Sequence, residues 1–174
     1  MITLMSAAVK PLDNSDAAVA AKIYVVQMAA YEQEARLIGA QHFPPLHVTA
    51  DDVRLSNDLF FGIHCKQDIV GVIAVCENPS MRSLTVNSLV VHPSYQRRGV
   101  GRLLLSFVTS QFEALHITVS TAVKNTPALA LYAKLGFVEV QRCFVGSERL
   151  ELVALEKVCS IELHKRANQR LTAN

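Results

Sequence analysis

The stretch from Asn87 to Arg102 changes its hydrophobic period halfway along, and few folds accept such a switch. Leu89, Val90 and Val91 are consecutive and apolar, as in a strand buried on both faces, and Pro93 ends the run because it has no N–H to give a neighbour. Beyond it, Val100, Leu103, Leu104, Phe107, Val108 and Phe112 recur at three- and four-residue spacing, which gives a helix one broad apolar face. The turn between carries Gln96, Arg97, Arg98, Gly99 and Gly101. The first N–H groups of a helix have no intrahelical acceptor and sit at the positive end of its dipole, so such a turn can hold an anion. Gly99 and Gly101 leave room for a phosphate against the main chain, and Arg97, Arg98 and Arg102 bring positive charge. A pyrophosphate is the natural occupant. Taken alone, Gly-x-Gly would serve equally as an ordinary strand-to-helix connection.

The chain has 174 residues, 51% of them hydrophobic, which suits one domain with a sizeable core. Nothing suggests a boundary inside residues 1–160, and residues 161–174 read as a basic C-terminal tail. A net charge of +2 is too mild for a nucleic-acid surface. No apolar run approaches the length of a membrane span, and Met1 to Lys10 lacks the basic flank and apolar core of a signal peptide, so a cytoplasmic protein is expected. Cys65, Cys76, Cys143 and Cys159 are far apart and the six histidines form no ligand set, so neither a redox pair nor a metal site is expected.

In chain order, Ile2 to Val9 reads as a first strand stopped near Pro11. Asp13 to Asp16 offer caps for a helix, or a broken pair of helices, running from Ala17 to a stop at Gly39. The segment Gln41 to His47, with two successive prolines, reads as a loop, and Thr49 with Asp52 caps a short helix to about Leu55. Leu59 to Cys65 and Ile69 to Cys76 form a hairpin, followed by a strand from Met81 or Arg82 to Val91. A helix from Gly101 to Leu115 and a returning parallel strand from His116 to Val123 come next. An edge strand between Leu150 and Lys157 would offer a seam for a homodimer.

A second group spans Lys124 to Phe137. Asn125 or Thr126 can cap a helix with Pro127 at its first position, and Gly136 stops it. Ala128, Leu131 and Leu135 share a face bordered by Tyr132, so something can lie close against it. A core helix with a structural tyrosine has the same pattern.

Taken in order, Leu-Val-Val-His-Pro, Gln-Arg-Arg-Gly-Val-Gly, a helix, a strand and Asn-x-x-Ala-x-x-Leu-Tyr-x-Lys-x-Gly-Phe resemble the acetyl-CoA-dependent N-acetyltransferases of the GNAT superfamily, from Asn87 to about Val140. The resemblance implies a single-domain α+β (mixed α/β) fold: a mixed, mostly antiparallel sheet of six to seven strands, flanked by helices, with two strands splayed near a bulge at Leu89 to Val91. Acetyl-CoA would be the acetyl donor, and a primary amine of a small molecule or peptide the acceptor. Leu89, Val90 and Val91 would line the pantetheine arm, with free main-chain groups pairing to it as to another strand. Gln96, Arg97, Arg98, Gly99, Val100, Gly101 and Arg102 would hold the pyrophosphate. Asn125, Ala128, Tyr132 and Lys134 would complete the cofactor site. The N–H of Val91 would polarise the thioester carbonyl.

The resemblance makes Tyr132 the general acid toward the departing thiolate. An ammonium cannot attack, so an alkylamine must first lose a proton. Many relatives keep a glutamate for this on the strand before the glycine turn, but Leu84 to Val91 contains no carboxylate. Glu77 and His92 are substitutes, Tyr31, Glu32, Glu34 and Arg36 stand where an acceptor pocket is expected, and the base stays unassigned. Glu32 and Glu34 tilt the acceptor toward a cation. A non-catalytic acyl-CoA-binding sensor is the alternative, and Tyr132 weighs against it. With Leu104 in place of a third glycine and no Gly-Lys-Ser/Thr, dinucleotide and triphosphate loops fall behind.

Overall fold

The computed structural model describes residues 8–112 and 114–159. Its strands are β1 (Val9–Leu12), β2 (Leu59–Cys65), β3 (Asp68–Asn78), β4 (Ser83–Val91), β5 (His116–Ala122), β6 (Val138–Val145) and β7 (Leu150–Val158). Its helices are α1 (Ala17–Ile38), α2 (Ala50–Leu55), α3 (Val100–Gln111) and α4 (Thr126–Lys134). The strands form one seven-stranded sheet in the order β1-β2-β3-β4-β5-β7-β6, antiparallel except for the β4–β5 pair. This is the mixed α+β architecture that the sequence suggests.

Local chemistry explains the helix ends. The Asp16 carboxylate accepts from the N–H groups of Ala18 and Val19, and Gly39, at φ 72°, closes α1. Between them α1 is continuous rather than a broken pair, because nothing in its interior breaks the hydrogen-bond ladder. Thr49 and Asp52 make a full capping box at α2. Asn125 caps α4, with Pro127 one position later than expected.

The first strand expected at Ile2 to Val9 falls mostly outside the described residues; β1 runs on through Pro11 to Leu12. Proline is tolerated there because β1 is an edge strand, paired only with β2. Pro44 to His47, expected to be a loop, form a turn of 3₁₀ helix, since proline presets the φ angle of such a turn. Helix α3 stops at Gln111, short of Leu115, and its packed face differs by one residue: Leu105 is fully buried whereas Leu103 is 42% exposed. The segment from Leu150 is not an edge. It lies between β5 and β6, so β6 is the edge and a dimer seam along β7 is ruled out. The basic tail, residues 161–174, lies outside the described residues.

Each face of the sheet has its own core. On one, Leu104, Leu105 and Val108 of α3, with Tyr132 of α4, pack on Ile73, Val75, Leu84, Val86, Ile117 and Val119. On the other, Ala20, Ile23, Val26 and Ala30 of α1 pack on Ile69, Val72, Ala74 and Val90. The end of α1 continues further along the sheet, where Ala35, Ile38 and Phe43 meet Ala122, with Leu150 and Leu152 alongside. Helix α1 therefore spans from β3 and β4 to β5 and β7.

Gly71 seats α3 against β3, since a Cβ there would lie 2.5 Å from Val100 Cγ1 and 3.1 Å from Leu104 Cδ1. Gly71→Ala should cost about 1–3 kcal/mol through overpacking, measured as a lower midpoint of urea unfolding.

Candidate active site

Two gaps in the hydrogen bonding of the chain lie side by side. The first is the turn into α3. Val91 ends β4, and Pro93–Tyr95 make one turn of 3₁₀ helix capped by His92, whose Nδ1 accepts from the Ser94 N–H at 3.3 Å. Arg97, at φ 61°, and Gly99, at φ 82°, then take the left-handed conformation. Gly99 caps α3 without a side chain, and no acceptor for the main-chain N–H groups of Arg97 to Arg102 is found among the described residues. Nothing lies within 4 Å of a Cβ built on Gly99, so the space before these donors is open. Gly101 serves packing instead: a Cβ there would meet Leu131 Cδ2 of α4 at 3.3 Å.

Not every residue of this turn faces the open space. Gln96 Nε2 donates to Val91 O at 3.1 Å and to Gln33 Oε1 of α1 at 2.6 Å, and its main-chain N–H goes to Pro93 O. Gln96 thus shapes the turn, and the open donors begin at Arg97. Arg97, Arg98 and Arg102 are exposed, with the Arg98 guanidinium 5.3 Å above the Tyr95 ring. Val100 is buried and anchors the start of α3. A diphosphate fits this cradle of unsatisfied donors, flanking cations and a position without Cβ.

The second gap lies between β4 and β5. Their pairing covers only Ser83 to Val86 against His116 to Val119. Asn87 is then an extra residue in the β3–β4 ladder, where Val86 faces Val75 and Ser88 faces Ala74. Beyond this bulge β4 pairs with β3 alone, and β5 continues with β7. The His92 N–H donates to Val70 O on β3 at 2.9 Å. Strand alternation therefore turns the main-chain groups of Val91 and Leu89 toward the gap and those of Val90 away from it. The Val91 carbonyl is held by Gln96, which leaves its N–H facing the gap.

Helix α1 crosses this opening and brings polar side chains to it. Tyr31 Oη lies 2.8 Å from Ser88 Oγ, one residue past the bulge. Asn125 Nδ2 donates to Glu34 Oε1 at 2.8 Å, while Asn125 Oδ1 accepts from the Ala128 N–H and caps α4. One turn before Tyr31, Gln27 is buried and its Oε1 has no hydrogen-bond partner. Tyr132, 5% exposed, belongs to the opposite core, yet no described residue hydrogen-bonds its hydroxyl. Burial raises its pKa, and the charge of Glu34 and then Tyr31 add to the rise, so the phenol keeps its proton. The Glu34 pKa is raised by burial against the opposing Asn125 hydrogen bond, and Tyr31 is raised chiefly by burial as well. Glu34 of α1 thus adds to the electrostatic environment of Tyr132 on the other face of the sheet.

Of the other expected residues, Ala128 is half-buried at the start of α4 and Lys134 is exposed at its end. Glu77 is exposed and faces Leu84, at the end of β4 away from the gap, while Glu32 and Arg36 are exposed. No group of three or more potential metal ligands occurs among the described residues. Sequence reasoning missed Gln27, Gln33 and Ser88. The spacing of Gln27, Tyr31 and Glu34 carried a signal, since it sets three polar groups on one stripe of an otherwise packed helix.

Residues 56–139 match the acetyltransferase (GNAT) domain family. The chain is 39% identical over 131 residues to UPF0157 protein YqkA of Bacillus subtilis, covering 75% of this chain and 38% of YqkA. It is 36% identical over 58 residues to the ribosomal protein bS18-alanine N-acetyltransferase of Salmonella typhimurium, covering 32% of this chain and 39% of that enzyme. The chain thus spans under half the length of both curated relatives. Among solved structures, the ribosomal-protein-S18-alanine N-acetyltransferase of Escherichia coli superposes with a TM-score of 0.70 at 18% identity, covering 89% of this chain and 95% of that one. The PaiA N-acetyltransferase of Thermoplasma acidophilum, solved with coenzyme A, superposes with a TM-score of 0.71 at 14% identity, covering 89% and 100%. No helix among the described residues is long and apolar enough to cross a membrane.

The raised pKa of Glu34 has a sign that can be checked by stability. The folded state holds this proton to higher pH than the unfolded chain does, so the burial penalty is absent below the ordinary glutamate range and complete above the folded pKa. Glu34→Gln should therefore melt higher than the parent at pH 7, with the difference vanishing near pH ~4. Thermal unfolding of both proteins across this range measures it.

Proposed function

We propose that this chain, which carries a GNAT acetyltransferase domain at residues 56–139, transfers an acetyl group from acetyl-CoA directly to a primary amine of a small molecule or peptide. The observation that carries this reading is the adjacency of the two gaps. An anion cradle opens at the turn into α3, and an unpaired strand edge begins at its foot. The main-chain donors of Arg97 to Arg102, with the exposed arginines, suit the diphosphate of the donor. Leu89 and Val91 offer the strand edge to the amides of its pantetheine arm.

The residues of the chain divide the remaining work. The Val91 N–H faces the gap and is suited to polarise the thioester carbonyl, because a fixed donor needs no reorganisation as charge develops. Tyr132 is buried, neutral and without a hydrogen-bond partner among the described residues, which suits a donor of one proton to the departing sulfur. Asn125 and Ala128 fix the start of α4, the helix that carries Tyr132. A cytoplasmic location belongs to this reading, as do the absence of a nucleic-acid or membrane partner and the option of a homodimer through an edge other than β7. Lys134, exposed at the end of α4, is the remaining cofactor contact.

Two measurements test the reading. Tyr132→Phe should lower kcat by ~100-fold or more, while the acetyl-CoA dissociation constant from calorimetry stays within about threefold. Equal turnover would remove Tyr132 from the chemistry. Gly99→Val places a side chain before the cradle and strains a backbone at φ 82°. It should weaken coenzyme A binding about tenfold or more, a loss of ~1.4 kcal/mol, in the same titration. Unaltered affinity would move the diphosphate elsewhere.

A further inference from the structure

The acetyl-transfer reading leaves one chemical role empty. The acceptor arrives as an ammonium, and β4 carries no carboxylate to deprotonate it. We propose that Glu34 of α1 fills this role as the catalytic base, taking the proton of the acceptor ammonium in the opening between β4 and β5. This inference rests on the acetyltransferase reading above.

Position argues for it first. The carboxylate is half-buried where α1 passes over the divergence of the two strands, and Asn125 fixes its Oε1 from the cap of the helix that bears Tyr132. Asn125 thus ties Glu34 to the helix that bears Tyr132, and the Glu34 charge adds to the rise that burial gives the Tyr132 pKa. Of the other carboxylates near the site, Asp58 is engaged at the bulge, where it accepts from Asn87 Nδ2 at 2.9 Å, and nothing among the described residues ties it to α4. Glu32 is exposed, and Glu77 stands at the paired end of β4.

The same stripe of α1 is furnished for an amine. Gln27 Oε1 is a buried acceptor without a donor, and Tyr31 Oη is held by Ser88 on the unpaired part of β4. Among the described residues, the groups that act on or are acted on by Glu34 are Asn125, Tyr31 on its own helix and Tyr132 of α4. None is a cation, and burial favours the protonated form, which makes Glu34 a stronger base than an exposed carboxylate.

The ammonium gives one proton to the Glu34 carboxylate, and the freed nitrogen lone pair forms the carbon–nitrogen bond as the carbon–sulfur bond breaks. Sulfur leaves with that electron pair and takes the Tyr132 hydroxyl proton. The second proton shed by nitrogen restores Tyr132, and Glu34 releases its own to solvent. An ammonium and a thioester thus become an amide, a thiol and one solvent proton.

The experiment uses the full chain, acetyl-CoA and a panel of spermidine, benzylamine and an alanine-ended tripeptide, with thiol release followed from pH 5 to 9. Glu34→Gln keeps an oxygen for Asn125, so a purely structural role leaves turnover unmoved. Expected is a fall in kcat of ~30-fold or more at pH 7, acetyl-CoA affinity within about threefold, and loss of the acid limb that Glu34 gives the parent profile. Glu34→Gln turning over within threefold of the parent, or keeping that limb, overturns the proposal and leaves the acetyltransferase reading standing. If Glu34→Gln loses acetyl-CoA binding, Glu34→Asp decides: a retained limb supports the base and a lost one overturns it. A parent protein that binds no acetyl-CoA, or binds it and acetylates no amine, overturns both.

Discussion

The feature on which the site depends is an unfinished strand pairing. β4 and β5 run parallel for four residues each and then part at Asn87, where one extra residue breaks the register with β3. A sheet that opens in its middle exposes main-chain donors and acceptors to no partner, which is costly in a buried place. The opening persists because both flanks are held. β4 stays bonded to β3, β5 stays bonded to β7, and α1 packs on both sides of the divide. Helix α1 acts as a strut: its first half is anchored by Ile23 and Val26, its end by Ile38, and the span between crosses the gap.

That span explains the chemistry of the site. Residues over packed strands must be apolar, but residues over an opening meet main-chain groups and solvent. Tyr31 and Glu34 occupy the crossing, held by Ser88 of β4 and by Asn125, and one turn earlier Gln27 is buried with its Oε1 unpartnered. Their separation from bulk water raises the pKa values of Glu34, Tyr31 and Tyr132 together. In the proposed reaction this keeps the tyrosine neutral as a proton donor and makes the glutamate a better acceptor of protons. Both are neutral acids that become anions, so one physical cause shifts them in the same direction from different starting points.

The glycine turn shows how a motif and its use diverge in detail. Its glycines are not equivalent. Gly99 is needed for a positive φ and for open space, whereas Gly101 lets α3 and α4 approach. Gln96, expected among the anion ligands, spends its side chain on Val91 and Gln33. It thereby joins the turn to β4 and α1, so the cradle, the strand edge and the strut form one connected unit. Spacing alone does not distinguish such roles, because a side-chain amide can serve a ligand or a carbonyl equally well.

Short-range physics made much of this protein legible in its sequence. A cap among Asp13 to Asp16, one at Thr49 and one at Asn125 or Thr126, the stop at Gly39, the hairpin of β2 and β3 and the switch of period after Val91 depend on neighbours a few residues away, and the fold shows each, with Asp16 and Asn125 as the caps taken. The acceptor side was another matter. Glu34 and Asn125 are 91 positions apart, and Tyr31 and Ser88 are 57 apart, so no local pattern announces their meeting. The order of the last two strands was equally hidden, since β6 and β7 are joined by a hairpin whichever of them takes the edge. The sequence by itself determined most of the helices, the β2–β3 hairpin and the glycine turn into α3, because those follow from spacing along the chain. Only the tertiary structure decided which polar groups of α1 lie over the opening, because that depends on where two strands stop pairing and on how a helix is laid across them.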